Sequence, residues 1–146
     1  MIARIVSMLV VSAGLALANT GWTEKYEDAK AQAKKENKAI LLDFTGSDWC
    51  PWCIKLTKEV FDKPEFKTWA KDNLVLVELD FPHEKRQSHL IKTQNEKLQK
   101  EFSITGFPTV LIVDADGKLI GKTGYQAGGP APYIEHLKGI LAKKKA

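Results

Sequence analysis

The run KAILLDF, residues 38–44, is apolar at consecutive rather than alternate positions and has the length of a strand. Such a run reads as a central strand buried on both faces, and a sheet of that kind needs helices on both sides. The rest of the chain supplies them. From Trp22 to Lys38 the residues Tyr26, Ala29 and Ala33 keep helical spacing, Thr23 can cap, and Glu24, Glu27 and Asp28 suit the positive end of the dipole. Beyond Phe44, the positions Cys53, Leu56 and Val60 repeat at three and four residues, so a helix is expected to begin at or just before Cys50. Asp62 to Glu65 resembles a capping box with Pro64 in the first turn, opening another helix with Phe66, Trp69 and Ala70 inward. NLVLVELDF, residues 73–81, is the next strand, and Pro82 stops it. A helix is expected over at least residues 93–101, with Thr93 to Glu96 as a late capping box and Leu90 or Ile91, Leu98 and Phe102 on one face. Residues 105–125 read as strand, tight turn at Asp114 to Gly117, and strand, an antiparallel hairpin. A last helix runs from about Ala131 to Ala142, with Tyr133 or Ile134, Leu137 and Ile140 or Leu141 inward. Strands joined by helices run parallel, so the expected class is α/β: a mixed sheet with a C-terminal antiparallel hairpin and helices on both faces.

The first residues read differently. Arg4 provides a positive start, Ile5 to Leu15 is an apolar run, and Ala16-Leu17-Ala18 fits a small-residue cleavage site, so residues 1–18 are expected to be a signal peptide. The run is short for a bilayer span of about 20 residues and no basic cluster follows, which weighs against a retained anchor. Residues 19–146 then form one domain, large enough to bury a core without disulfide staples. Loss of Arg4 leaves 21 basic against 18 acidic residues, so the net charge falls from +4 to +3. Much of that excess is the tail Lys143 to Lys145, which speaks for a solvated surface and against nucleic-acid binding.

Cys50 and Cys53 are the only cysteines, separated by Pro51 and Trp52. Export would put them in an oxidising compartment where a disulfide can persist. A loop this short removes little entropy from the unfolded chain, so the pair is a poor staple. Beside alternating strands and helices, Cys-x-x-Cys is instead a redox signature.

Four landmarks, ILLDF, WCPWC, GFPT and the glycines at 117 and 124, together make residues 22–142 resemble the thioredoxin superfamily, and within it exported bacterial proteins of the thiol:disulfide interchange type. The resemblance implies a thioredoxin-like fold, a cis bond before Pro108, and thiol–disulfide exchange with no cofactor and no metal. It implies catalytic roles for Cys50, Cys53, Asp43 and Pro108, and client contacts by Trp49, Pro51, Trp52, Phe107 and Thr109. It also implies client proteins bearing thiols or disulfides, a redox partner protein, a periplasmic location, and a monomer with no membrane span once the signal is removed. Three departures stand out: the stretch DFTGSDWC has one residue more between Asp43 and Trp49 than the usual pattern, Glu78 occupies a strand position where thioredoxins commonly carry lysine, and residues 82–100 form a longer segment than a minimal thioredoxin has.

Disulfide exchange needs a thiolate. Cys50 in the first turn of a helix would face unpaired N–H groups that favour its anion, so it is expected to be the exposed nucleophile, with Cys53 one turn on and inward as the resolving thiol. The resemblance places Asp43 beneath the pair as a buried proton acceptor; the alternative is a solvated strand end. Should Glu78 lie close to Asp43, the two carboxyls would resist ionising together and share a proton. Trp49, Trp52 and Phe107 are expected to form an apolar collar, with the Phe107 backbone pairing to an extended client. Two rivals stand beside this reading. A metal site would join the cysteines to His83 and His89, a spacing at the outer limit for zinc, whereas these two histidines and His136 read more simply as surface residues. A redox-inactive peptide-binding or chaperone module would keep the fold without turnover.

Overall fold

The structure, a computed structural model, describes residues 21–143; the expected signal peptide at 1–18 lies outside the described residues. Among the described residues five strands form one sheet in the order β1-β3-β2-β4-β5, where β1 is Trp22–Thr23, β2 Ala39–Thr45, β3 Leu74–Asp80, β4 Thr109–Val113 and β5 Leu119–Thr123. β1 and β2 both run parallel to β3, while β4 runs antiparallel to β2 and to β5. β2 is the middle strand and every one of its residues is buried, which is what its unbroken apolar run requires.

Helices cover both faces. Ala39 and Leu41 face a core shared with α2 (Pro51–Leu56), the π-helical turn Thr57–Phe61 that continues it, α3 (Pro64–Asn73) and α5 (Pro130–Ala142). Ile40, Leu42 and Phe44 face the opposite core, closed by Tyr26, Ala29 and Ala33 of α1 (Tyr26–Glu36) and Leu98 of α4 (His89–Glu101). The alternation puts Asp43 and Thr45 on the α2 side. In the same register Glu78 stands opposite Asp43 and Asp80 opposite Thr45.

Local signals were outvoted in several places. Trp22 and Thr23 form an edge strand rather than the start of α1, and Thr23 accepts the Lys25 N–H (3.2 Å) without capping the helix. Two residues are too few to show a period of two. The expected box at 62–65 makes no capping hydrogen bond; Pro64 alone opens α3, since its missing N–H costs nothing there. α4 starts at His89, capped by Ser88, whose hydroxyl accepts the Ile91 N–H (3.2 Å), so the Thr93 box is left inside the helix. Ile91 is buried and Leu90 is exposed. Gly117 closes the hairpin turn at φ 87°, with the Tyr26 hydroxyl packed where a side chain would project. Among the described residues no helix is long and apolar enough to cross a membrane.

Candidate active site

β2 ends at Thr45 and the chain turns through Gly46 to Asp48 before α2 begins, so residues 46–50 sit at the carboxyl end of the parallel strands. Such ends are where α/β sheets collect functional groups. Cys50 is the N-cap of α2 and is joined to Cys53 by a disulfide, with 5.2 Å between the Cα atoms. Pro51 occupies the first helical position. The Cys53 N–H donates to the Cys50 sulfur (3.3 Å), and the Gly46 N–H points at the Cys53 sulfur (3.5 Å). Backbone donors thus face both sulfurs, an arrangement that favours their anions once the bond is reduced.

The expected solvent exposure of Cys50 does not hold in this oxidised form. Its relative exposure is 4%, close to the 2% of Cys53, because bonding to the inward partner one turn along draws it against the helix end.

Pro108 precedes β4, and the Phe107–Pro108 bond is cis. Pairing of Thr109 with Phe44 brings this loop beside the end of β2 and hence beside the cysteines. Phe107 and Pro108 are partly exposed. Thr109 is a correction to the expected client contacts: it is buried, and its hydroxyl donates to the Gly106 carbonyl (2.7 Å), holding the loop rather than facing outward.

The aromatic collar divides into two walls. Trp49, 37% exposed, meets Phe107 edge-on at 5.8 Å, stacks on His83 at 4.4 Å, and donates its indole N–H to the Phe81 carbonyl (2.7 Å). Gly46 permits this fold-back, since any side chain there would overlap the Trp49 ring. Trp52, 54% exposed, leans instead on Tyr125 at 5.0 Å, with the Lys55 ammonium over both rings. The Tyr125 hydroxyl donates to Glu59 (2.6 Å). Tyr125 and Lys55 were not expected at the site, and His83 was placed there only by the rival metal reading; the one signal of Tyr125 was a lone aromatic after the hairpin.

The extra loop residue has a structural use. Ser47 binds the Asp80 carboxylate through its N–H (2.9 Å) and its hydroxyl, while Asp48 accepts the N–H groups of His83 (2.9 Å), Glu84 (2.8 Å) and Lys85 (2.8 Å). These bonds, led by that from His83, hold the Asp48 carboxyl down to about 2. The long segment after β3 is therefore clamped beside Trp49. His83 stacks there and His89 opens α4, and among the described residues no group of three metal-ligating side chains occurs. His136, expected at the surface, is half-buried and bonded to Thr123 (2.7 Å).

Asp43 is 4% exposed, which removes the solvated alternative. Burial first, then the Glu78 and Asp80 carboxylates, push its carboxyl up to about 8. One of its oxygens is buried without a hydrogen-bond partner. Glu78 is half-buried and also raised, by burial and then by Asp80, with Lys85 opposing.

Comparison with known proteins fits this geometry. The profile of the thioredoxin-like domain matches residues 26–137. The chain belongs to the thioredoxin-like family. Its thioredoxin-like sequence is 39% identical over 127 residues to the disulfide bond reductase DsbH of Chlamydia pneumoniae, covering 87% of this chain and 76% of that protein. It is 31% identical over 132 residues to the thiol:disulfide interchange protein DsbD of Cronobacter sakazakii, covering 88% of this chain and only 21% of DsbD. A solved structure of a DsbH oxidoreductase superposes with a TM-score of 0.81 at 36% identity, over 94% of this chain and 95% of that one. A thioredoxin from Thermus thermophilus, at 16% identity and a TM-score of 0.62 over 84% and 87%, shares the fold. With its bonded Cys50–Cys53 pair, the thioredoxin-like chain is a thiol–disulfide oxidoreductase.

Proposed function

We propose that this oxidoreductase works as an exported, periplasmic reductase of client disulfides. The observation that carries the reading is the Cys50–Cys53 couple at the start of α2, beside the cis-proline loop and backed by a buried acid. The likeness to a protein described as a disulfide bond reductase, over 87% of the chain, supports the reducing direction.

In the dithiol form the Cys50 thiolate, favoured by the Cys53 N–H, attacks a client disulfide and expels one client thiolate. A mixed disulfide joins Cys50 to the client. Cys53 then passes its proton to Asp43, attacks the Cys50 sulfur and releases the second client thiolate, leaving the Cys50–Cys53 disulfide. Two electrons move from the cysteine pair to the client, and both client sulfurs take up protons. The walls of Trp49 with Phe107 and Trp52 with Tyr125 flank an extended client, and Pro108 and the Phe107 backbone lie in its path. A partner protein resupplies electrons. Asp43 is suited to its role because a carboxyl at about 8 can both take and give up a proton near neutral pH.

Insulin-disulfide reduction by wild type and Cys50→Ser tests the reading. Turnover in wild type and none in the variant is expected, together with a reduction potential nearer the thioredoxin value of about −270 mV than the strongly oxidising value of about −120 mV. Equal behaviour of the two proteins would leave only a peptide-binding module.

A further inference from the structure

The exchange reaction proposed above obliges Asp43 to lose the proton it receives, yet Asp43 is sealed at 4% exposure. An enclosed acid needs a way to reach water. Among the described residues two walls of its cavity also border a second opening, Trp22 and Glu78, and of these only Glu78 carries a titratable group. Asp43, Glu78, Trp22, Thr57, Phe61 and Asp62 line a cavity of about 70 Å3 on the α2 side of the sheet. That volume is sufficient to admit water, and its carboxyl walls supply the polar partners water requires. On the other side, Glu78 borders a cleft of about 340 Å3 that reaches the exposed Lys85 and Arg86.

We propose that Glu78 is the exit station for the proton that Asp43 takes from Cys53: the two carboxyls share one proton across the small cavity, and Glu78 hands it to the outer cleft.

Register makes the sharing physical. Asp43 and Glu78 are direct partners on parallel neighbouring strands, so their side chains leave the sheet on the same face with backbones about 4.8 Å apart. The buried Asp43 oxygen has no protein partner, the state of an acid whose hydrogen bonding is completed by something within the cavity. Both carboxyls are held above their ordinary range, Asp43 by burial and then the Glu78 and Asp80 charges, Glu78 by burial and then Asp80 with Lys85 opposing, so neither ionises independently of its neighbours. Other titratable groups face the pair. Asp80 is tied to Ser47, Glu24 adds negative charge at the outer cleft, and Asp62 borders the cavity from the end of the π-helical turn. Tyr133 of α5 donates its hydroxyl to the Gly124 carbonyl, and burial and then Asp43 keep that hydroxyl protonated well beyond its ordinary range. Glu78 acts through Asp43 and does not touch the client, so it is a positioning residue for the proton.

The account of one turnover balances. The Cys53 thiol proton goes to Asp43, the Cys53 thiolate forms the S–S bond as the client thiolate leaves, and the proton moves from Asp43 to Glu78 and out. The client thiolate is protonated from solvent, so no further reactant is needed.

The test uses full-length Glu78→Gln and Glu78→Asp beside wild type, with two readouts. In the oxidised proteins, the Asp43 carboxyl is titrated by carbon-13 NMR; in the reduced proteins, resolution of a pre-formed mixed disulfide is followed against pH. Removing the neighbouring Glu78 charge should lower the Asp43 midpoint by about one pH unit. Glu78→Gln should move the resolution profile down by the same interval and slow its plateau, and Glu78→Asp should restore both. Superimposed wild-type and Glu78→Gln curves in both readouts overturn the proposal, as does a slowed plateau that Glu78→Asp fails to restore with the Asp43 midpoint unmoved. The NMR titration requires no turnover, so loss of activity in wild type would sink the reductase reading while leaving the shared proton measurable.

Discussion

Asp43→Asn should make the oxidised protein more stable at alkaline pH while impairing its chemistry. Asp43 is buried, and its folded carboxyl stands at about 8, whereas in the unfolded chain it returns to about 3.9. The folded state therefore holds a proton that the unfolded state releases between those values. Stability is full below about pH 4 and drains away until the pH passes about 8. Four units at 1.36 kcal/mol each amount to about 5 kcal/mol, a large share of the roughly 5–15 kcal/mol that holds a domain folded. Asparagine keeps the shape of the neutral acid and cannot ionise, so it escapes this loss. Urea unfolding at a series of pH values from about 4 to 9 reads the difference directly. The two proteins should unfold at similar urea concentrations in acid, with the variant ahead by an amount that grows to about 5 kcal/mol at pH 9. A gap that stays constant with pH would refute the assignment of a buried, raised carboxyl. The same variant should resolve mixed disulfides slowly, since Cys53 loses its acceptor, which makes stability and activity move in opposite directions.

Gly117→Ala should cost about 1–3 kcal/mol, because the residue sits at φ 87° with the Tyr26 hydroxyl against it. Gly139→Ala, in α5 with open space around it, should gain up to about 1 kcal/mol; urea midpoints of both variants check the pair, and equal signs would contradict it. Asp48→Ala should speed amide hydrogen exchange at residues 83–85, which lose their acceptor. Because the Asp48 carboxyl is depressed, wild-type protection there should persist through mild acid and fade only as the pH falls toward about 2. Unchanged exchange in the variant would mean that the clamp does not hold the segment.

Long-range patterns were legible in the sequence and short-range ones often were not. The unbroken apolar run at 38–44 placed β2 in the middle because only a strand covered on both sides tolerates it. The three- and four-residue repeat of Cys53, Leu56 and Val60 located the start of α2, where Cys50 is the cap. Caps failed where competing ends were available: Ser88 starts α4 five residues ahead of the Thr93 box, so the box is never at a helix end. The two-residue β1 carries no periodicity to detect, and its place comes from pairing with β3. At the site, Asp43 and Glu78 could be read as separate candidates, but their adjacency is a matter of strand register, which the sequence of either strand alone does not contain. Tyr125 and His83 join the site through folding of distant segments and carry no motif of their own. Cys50 is buried while it is bonded to Cys53, a state of oxidation that primary structure does not state.

The central claim is that α2 presents one ionisable sulfur for exchange and keeps the other in reserve. The direct measurement is alkylation of the reduced protein across pH, with each cysteine followed separately by mass spectrometry. Cys50 should react first, with a midpoint below the value of about 8.5 for free cysteine, and Cys53 should lag behind it. Equal rates at the two sulfurs, with both midpoints at the free-cysteine value, would contradict the account.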